Sequence, residues 1–158
     1  MSTETSMRRV TAIRNGTVID HIPAGQALRV LNLLNISDQT AVPVSLVMNV
    51  PSKKMGAKDI VKVEDRELTQ AELDRLALVA SDASVAIIRA YSVAEKLHIN
   101  LGEEVTNVVR CTFSNCITQN LREPLPHRLV VLGKEPVSLR CHYCGRPQEI
   151  DELINNVI

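Results

Sequence analysis

The side chains best suited to chemistry in this sequence are four cysteines, Cys111, Cys116, Cys141 and Cys144. Four residues separate the first two and two residues separate the last two. Each pair can occupy one tight turn with both sulfurs facing inward, and two such turns complete a tetrahedron around a metal ion. The alternatives are two disulfides or four unrelated thiols. Disulfides are disfavoured in a reducing cytoplasm, and a two-residue gap is typical of metal or redox pairs. The spacing therefore predicts one Zn2+. Gly145, directly after Cys144, allows the backbone to turn sharply behind a thiolate. Four thiolates leave no coordination position for water or substrate, so the ion is expected to be structural rather than catalytic. A structural zinc is worth on the order of 10–16 kcal/mol in model peptides, enough to decide the folding of a short segment poor in aromatic residues.

A second group of polar residues is spread over the first hundred positions: Asp20 and His21, Lys58 and Lys62, then Tyr91 and Lys96. The plain reading is solvated surface. The sharper one is an anion site, with lysines for phosphates, Asp20 for a sugar hydroxyl and strand backbone for a base edge. Neither a Walker-type loop nor a Rossmann glycine fingerprint is present. A nucleotide bound here would lack the phosphate cradle of the hydrolysing folds. No nucleophile–base constellation stands out, so a catalytic role for this chain is not expected.

The elements that must position these groups can be read from periodicity and turn chemistry. Val10–Ile13 and Thr17–Ile19 flank Asn15-Gly16, a hairpin signal, after a Ser/Thr-rich tail. Pro23 breaks the chain, and Ala27, Val30, Leu31 and Leu34 recur at helical spacing. A strand is expected from Ala41 to Val50, a loop from Pro51 to Lys58 carrying Gly56, and a strand from Asp59 to Glu64. Thr69 and Glu72 form a capping box opening a helix that buries Leu73, Leu76, Ala77 and Ala80. Ser84 to Val93 reads as one further strand, ending near Tyr91 and Lys96. Beyond Ile99, glycine and proline punctuate short β-rich segments that hold all four cysteines. The fold class is α+β: a ferredoxin-like domain over residues 1–100, then a small, mostly-β zinc domain over residues 101–158.

The bulk numbers narrow the function classes. The 158 residues carry 18 basic and 18 acidic side chains, with one Phe, two Tyr and no Trp. Neutral charge and scarce stacking surfaces argue against nucleic acid as the partner, although the cysteine spacing alone would permit a zinc ribbon. No apolar run approaches the roughly 18 residues of a membrane helix, so no membrane association is expected. Met1 to Arg9 is polar, without the apolar stretch of a secretory signal, and the expected location is cytoplasmic.

Gly16-Thr17-Val18-Ile19-Asp20-His21-Ile22-Pro23, then Met55-Gly56-Ala57-Lys58-Asp59 and the four-cysteine pattern, together resemble the regulatory chain of aspartate carbamoyltransferase. The resemblance runs from about Met7 to the C-terminus. It implies an N-terminal allosteric domain and a C-terminal zinc domain. It also implies a non-catalytic subunit of pyrimidine biosynthesis that pairs with a second regulatory chain and docks on a separate catalytic chain. Nucleotides on the allosteric domain would then control activity, CTP commonly inhibiting and ATP activating, with UTP a further candidate. Carried over by position, the resemblance implies that Asp20 meets the ribose, Lys96 the ribose and phosphates, and Lys58 and Lys62 the phosphates with His21 beside them. It likewise implies that backbone around Ala12, Ile13, Ile88 and Tyr91 would read the base, with Val18 and Val93 supplying apolar walls. Phe113, Asn115, His142, Tyr143 and Arg146, on the two cysteine turns, would face the catalytic chain. Thr11 and Ala86 depart from the family pattern, where an acidic residue and a polar amide are usual. Both lie on the base and sugar side, so the sequence leaves the preferred nucleotide open. His98 and His127 are read as ordinary surface or core residues.

Overall fold

The structure, a computed structural model, describes residues 12–36, 41–99, 101–120, 122, 124–134 and 137–157. The expected tail, Val10, Thr11 and position 100 lie outside the described residues. The chain divides into two compact units, Met1–Ile99 and Asn100–Ile158.

In the first unit, β1 (Gly16–Pro23), β2 (Val44–Ser52), β3 (Gly56–Glu64), β4 (Ser84–Arg89) and β5 (Ser92–His98) form one antiparallel sheet in the order β2-β3-β1-β4-β5. Helix α1 (Ala27–Leu33) joins β1 to β2, and α2 (Gln70–Leu76) joins β3 to β4. The first four strands and two helices make the β-α-β-β-α-β ferredoxin-like order, to which β5 adds an edge strand. Alternation along the strands separates two faces. Ile19, Val61, Val63, Val85 and Ile87 are buried on one, while Ala27, Val30, Leu33 and Leu76 bury the inner sides of helices that contact each other. The other face carries Val18, Asp20, Lys58, Ile60, Lys62, Ser84, Ala86 and Ile88. The Thr69–Glu72 capping box is present, and Leu76, Ala77 and Ala80 are buried as expected, with Leu73 only half-buried.

Three local readings need correction. Asn15-Gly16 is not the tip of a hairpin, because Gly16 opens β1, whose two ladder positions are taken by β3 and β4. Ala12 and Ile13, the described part of the first expected strand, are not in a strand. Asn15 instead accepts a hydrogen bond from the Ala90 backbone N–H through its side chain (3.2 Å) and one from Asp65 through its carbonyl (2.9 Å). A Cβ on Gly16 would lie 2.2 Å from the Val63 carbonyl oxygen, so only glycine fits where β1 meets β3. The stretch 84–93 is not one strand: Ala90 (φ 51°) and Tyr91 (φ 66°) make a two-residue left-handed turn into β5. Without Asn or Gly at those positions, the turn left no local signal. The loop expected over 51–58 shrinks to a short turn, as β2 continues to Ser52 and β3 begins at Gly56.

One buried carboxylate fixes several of these elements. Asp59, fully buried in β3, accepts from the backbone N–H groups of Gly25 (2.9 Å) and Ala27 (3.0 Å) and from that of Asn49 (2.8 Å). It thereby caps α1, whose own N-cap residue Gln26 makes no side-chain cap bond, and it holds the β2 bulge at Asn49 (φ 63°).

The second unit is a four-stranded antiparallel sheet in the order β6-β7-β8-β9. Its strands are β6 (Glu104–Thr106), β7 (Arg128–Lys134), β8 (Val137–Cys141) and β9 (Pro147–Glu149), followed by the short helix α3 (Ile150–Leu153). Val105, Val109, Leu129, Leu139 and Leu153 form an aliphatic interior, and Val109 bridges to Val157 near the end of the chain. Among the described residues no helix is long and apolar enough to cross a membrane.

Replacing Asp59 by Ala removes a charged acceptor from three backbone donors and should cost about 2–4 kcal/mol. Urea denaturation of the chain should show the first unit unfolding at a lower midpoint. An unchanged midpoint would contradict this role for Asp59.

Candidate functional site

The four cysteines converge as the spacing requires. Cys111 and Cys116 lie on the connection between β6 and β7, Cys141 ends β8, and Cys144 lies in the turn before β9. Their sulfurs all lie within 4.8 Å of one another. Cys111 and Cys144 approach to 3.6 Å, and Cys116 and Cys141 to 3.7 Å. A disulfide needs about 2.05 Å. A tetrahedron built on metal–sulfur bonds of ~2.3 Å has edges of about 3.8 Å. The donor set therefore fits a single tetrahedral metal ion and not a pair of disulfides. Gly145 takes φ 72° and returns its N–H to the Cys141 carbonyl (2.9 Å), and the Cys116 N–H donates to the Phe113 carbonyl (3.2 Å). These are the two tight turns the sequence called for.

The surroundings show why a cation is needed. Burial pushes the Cys111 thiol up to about 12, and burial also raises Cys141. At Cys116 burial again pushes upward, but hydrogen bonds from Thr118 and the neighbouring thiols outweigh it and bring the group to about 7. A buried divalent ion is the natural partner that lets all four groups exist as thiolates together. Thr118 and Gln148, both buried, donate to the sulfurs of Cys116 (3.1 Å) and Cys111 (3.3 Å). Sequence reading passed over both, since neither is a ligand type at a ligand spacing.

Around the centre, Arg146 stacks over the Phe113 ring at 4.8 Å and hydrogen-bonds Asn115, tying one cysteine turn to the other. His142 and Tyr143 meet edge to face with centroids 5.1 Å apart. Phe113, Tyr143 and Arg146 are half-buried, whereas Asn115 and His142 are exposed.

In the first unit the ladder registers line up the second group of residues. Ser45, Lys62, Val18, Ala86 and Lys96 form a single row across all five strands. Two residues along, Asp20 pairs with Ser84 and Ser84 with His98. In the opposite direction, Gly16 pairs with Ile88 and Ile88 with Val93. A β-bulge between Ile19 and Ile22 puts His21 at φ 59°, where its Nδ1 lies 3.1 Å from the Ser84 hydroxyl. Its backbone N–H donates to Asp20 Oδ1 (2.6 Å). Asp20 also receives the Lys58 ammonium, at 2.9 Å from Oδ1 and 3.2 Å from Oδ2.

Along the strands, Ile88 and Val93 lie at the Gly16 end of the face, and Asp20, His21 and Lys58 lie at the other. The buried apolar cluster of Ile13, Val18, Val50, Ile60 and Ile88, packed against Ala86 and Val47, runs the length of the face, with Val50 paired to Lys58 and Ile60 between Lys58 and Lys62. Tyr91 joins the Gly16 end by donating its backbone N–H to the Arg14 carbonyl (2.9 Å), beside Ala12 and Ile13. Its side chain is 69% exposed, and Val93 is 57% exposed, so both sit on an open rim rather than as enclosed walls. Lys96 is exposed on β5. Lys58 and Lys62, by contrast, are 2% and 3% exposed. Burial lowers the Lys62 ammonium below its ordinary value. Burial also lowers His21, against the attraction of Asp20 and with help from Lys58, Lys54 and Lys96. Lys54, on the β2–β3 turn, therefore contributes to the same positive field and was not among the residues expected from the sequence.

An α+β unit with Lys58 and Lys62 on one sheet face is followed by a unit whose four cysteine sulfurs are spaced for a metal ion. The first unit matches the family model for the aspartate carbamoyltransferase regulatory chain, allosteric domain, over residues 8–100. The second matches that for the aspartate carbamoyltransferase regulatory chain, metal binding domain, over residues 103–154. The regulatory chain of Methanothrix thermoacetophila is 52% identical over 139 residues, covering 88% of this chain and 90% of that one. That of Methanosphaera stadtmanae is 48% identical over 146 residues, covering 92% and 94%. That of Pyrococcus abyssi is 46% identical over 150 residues, covering 94% and 97%. The chain belongs to the aspartate carbamoyltransferase regulatory chain family.

Stripping the metal with a chelator should abolish amide hydrogen-exchange protection across 101–158 and leave that of the five-stranded sheet intact. Protection retained in both units after complete metal removal would show that the cysteines are not what holds the second unit together.

Proposed function

We propose that this chain is the non-catalytic, zinc-bearing subunit through which nucleoside triphosphates control aspartate carbamoyltransferase in the pyrimidine pathway. Residues 1–100 bind the nucleotide and residues 101–158 hold the zinc. The observation that carries the first assignment is the juxtaposition, on the β1–β3–β4–β5 face, of apolar Val18, Ile88 and Val93 with the charged or polar Asp20, His21, Lys58, Lys62 and Lys96. A nucleoside triphosphate needs the same combination: an apolar, edge-bonding base, a hydroxylated sugar, and a tail of several negative charges. The base lies against Val18 and Val93, read by backbone of Ala12, Ile13, Ile88 and Tyr91. The ribose meets Asp20 and Lys96, and the phosphates meet His21, Lys58 and Lys62. CTP and ATP are the expected effectors, with UTP a third; because Thr11 and Ala86 depart from the family pattern, base preference has to be measured.

Zinc follows from the donor set, since four soft thiolates at tetrahedral spacing suit Zn2+ best among the common cellular divalent ions. Phe113, Asn115, His142, Tyr143 and Arg146 surround this centre and form the face for the catalytic chain. A second regulatory chain completes a dimer. The setting is cytoplasmic. Control works by linkage: a nucleotide shifts the assembly only by its difference in affinity for two quaternary states, typically about 1–3 kcal/mol.

Calorimetric titration with CTP and ATP should give saturable binding, weakened at least about tenfold by Lys62→Ala and by Lys96→Ala, as befits loss of a charge-assisted contact. Full affinity in both variants would move the nucleotide elsewhere.

Binding should also take up protons. His21 lies below its ordinary value in the free chain because of burial and neighbouring lysines. A phosphate beside it raises that value, so affinity should increase as pH falls from about 7 towards 6. Binding enthalpies measured in buffers of different ionisation enthalpy should reveal the uptake, and His21→Gln should remove it. Equal enthalpies in all buffers would contradict the placement of phosphate beside His21.

A further inference from the structure

Two buried side chains aim hydrogen-bond donors at the metal-site sulfurs although neither is a ligand. The Thr118 hydroxyl, 9% exposed as a residue, lies 3.1 Å from Cys116 Sγ. The Gln148 amide nitrogen, in a residue 1% exposed, lies 3.3 Å from Cys111 Sγ. The orientation of the Gln148 amide is fixed by its other end, where Oε1 accepts from the Thr112 backbone N–H at 2.7 Å. That contact demands an oxygen, so the nitrogen must face the sulfur. The same nitrogen reaches the Arg146 carbonyl at 3.3 Å. Gln148 is therefore bonded to both cysteine turns at once, through Thr112 on one and Arg146 on the other.

A neutral thiol is a poor acceptor, whereas a thiolate is a strong one. Burying a hydroxyl and an amide N–H against two sulfurs is favourable when those sulfurs carry charge. Four thiolates around a divalent ion keep a net charge of about −2 in a buried site, and donors to the sulfurs spread that charge.

We propose that Thr118 and Gln148 are positioning residues of the metal centre, which orient the Cys116 and Cys111 thiolates and slow loss of the ion. Gln148 does so while locking the two cysteine turns to each other. This rests on the reading of the four cysteines as a metal site.

The test uses the full chain loaded with Co2+ as a spectroscopic probe and with Zn2+ for affinity. In Thr118→Val the sulfur-to-cobalt charge-transfer band should move to lower energy, because an unbonded thiolate gives up its electron more readily. Thr118→Ser, which restores the hydroxyl, should return the band to its original position. Gln148→Glu keeps the acceptor for Thr112 but removes the donor, and should shift the band in the same direction as Thr118→Val. Chelator competition with the Zn2+ forms should show affinity weakened by about 10–100-fold in Thr118→Val and Gln148→Glu. The two positions report separately, so misfolding of one variant leaves the other decisive. Unchanged band energies and unchanged Zn2+ affinity in the folded variants would reduce both residues to packing and overturn the proposal. Absence of any charge-transfer band in the unsubstituted chain would instead overturn the metal site itself, and the proposal with it.

Discussion

Charge held away from water is the constraint on which this structure depends. Asp20, Lys58 and Lys62 are all nearly inaccessible on one face of the first sheet. Burying an ion costs several kcal/mol unless other groups replace its hydration. Asp20 and Lys58 do this for each other, and the His21 backbone N–H adds a further bond to the carboxylate. Burial lowers the tendency of Lys62 to hold a proton. A face built this way is most comfortable with an anion against it, which gives the proposed nucleotide both its affinity and its electrostatic leverage on the fold.

The second unit meets the same constraint with the signs reversed. Its four cysteines, three of them buried and Cys144 half-buried, are potential anions, and the partner that suits them is a cation. A metal ion at these cysteines would join the β8 end and the two cysteine turns of a unit whose aliphatic interior is small. On the proposed function, each unit has a binding site that is also a stability element. Regulation of a partner needs just this, since a ligand that stabilises one arrangement of a domain can shift the equilibrium of whatever assembly contains it.

How much of this was legible in the sequence varied by the kind of signal. The capping box at Thr69 was legible because both partners lie within one helical turn. The metal site was legible because each cysteine pair defines its own turn. The hairpin expected at Asn15-Gly16 failed because a strong local signal was overridden by β1 taking the centre of the sheet, with neighbours distant in sequence. The turn at Ala90-Tyr91 was hidden because neither residue type advertises a left-handed backbone. Asp59 and Gln148 were hidden for a related reason. Their roles arise from backbone donors and sulfurs far along the chain, which no spacing rule connects. The cross-sheet row from Ser45 to Lys96 likewise appears only once the strands are in register.

The central claim is that one face of the first sheet takes a nucleoside triphosphate, with the base at the Ile88 end and the phosphates at the His21 end. The most direct measurement is an amide NMR titration of the metal-loaded chain with CTP. A nucleotide on this face should give saturable shifts running in one band from Ile13, Ile88 and Tyr91 through Val18 and Ala86 to Asp20, His21 and Lys58, with the helix face little changed. Shifts confined to the helix face or to the metal unit, or no saturable shifts, would contradict it.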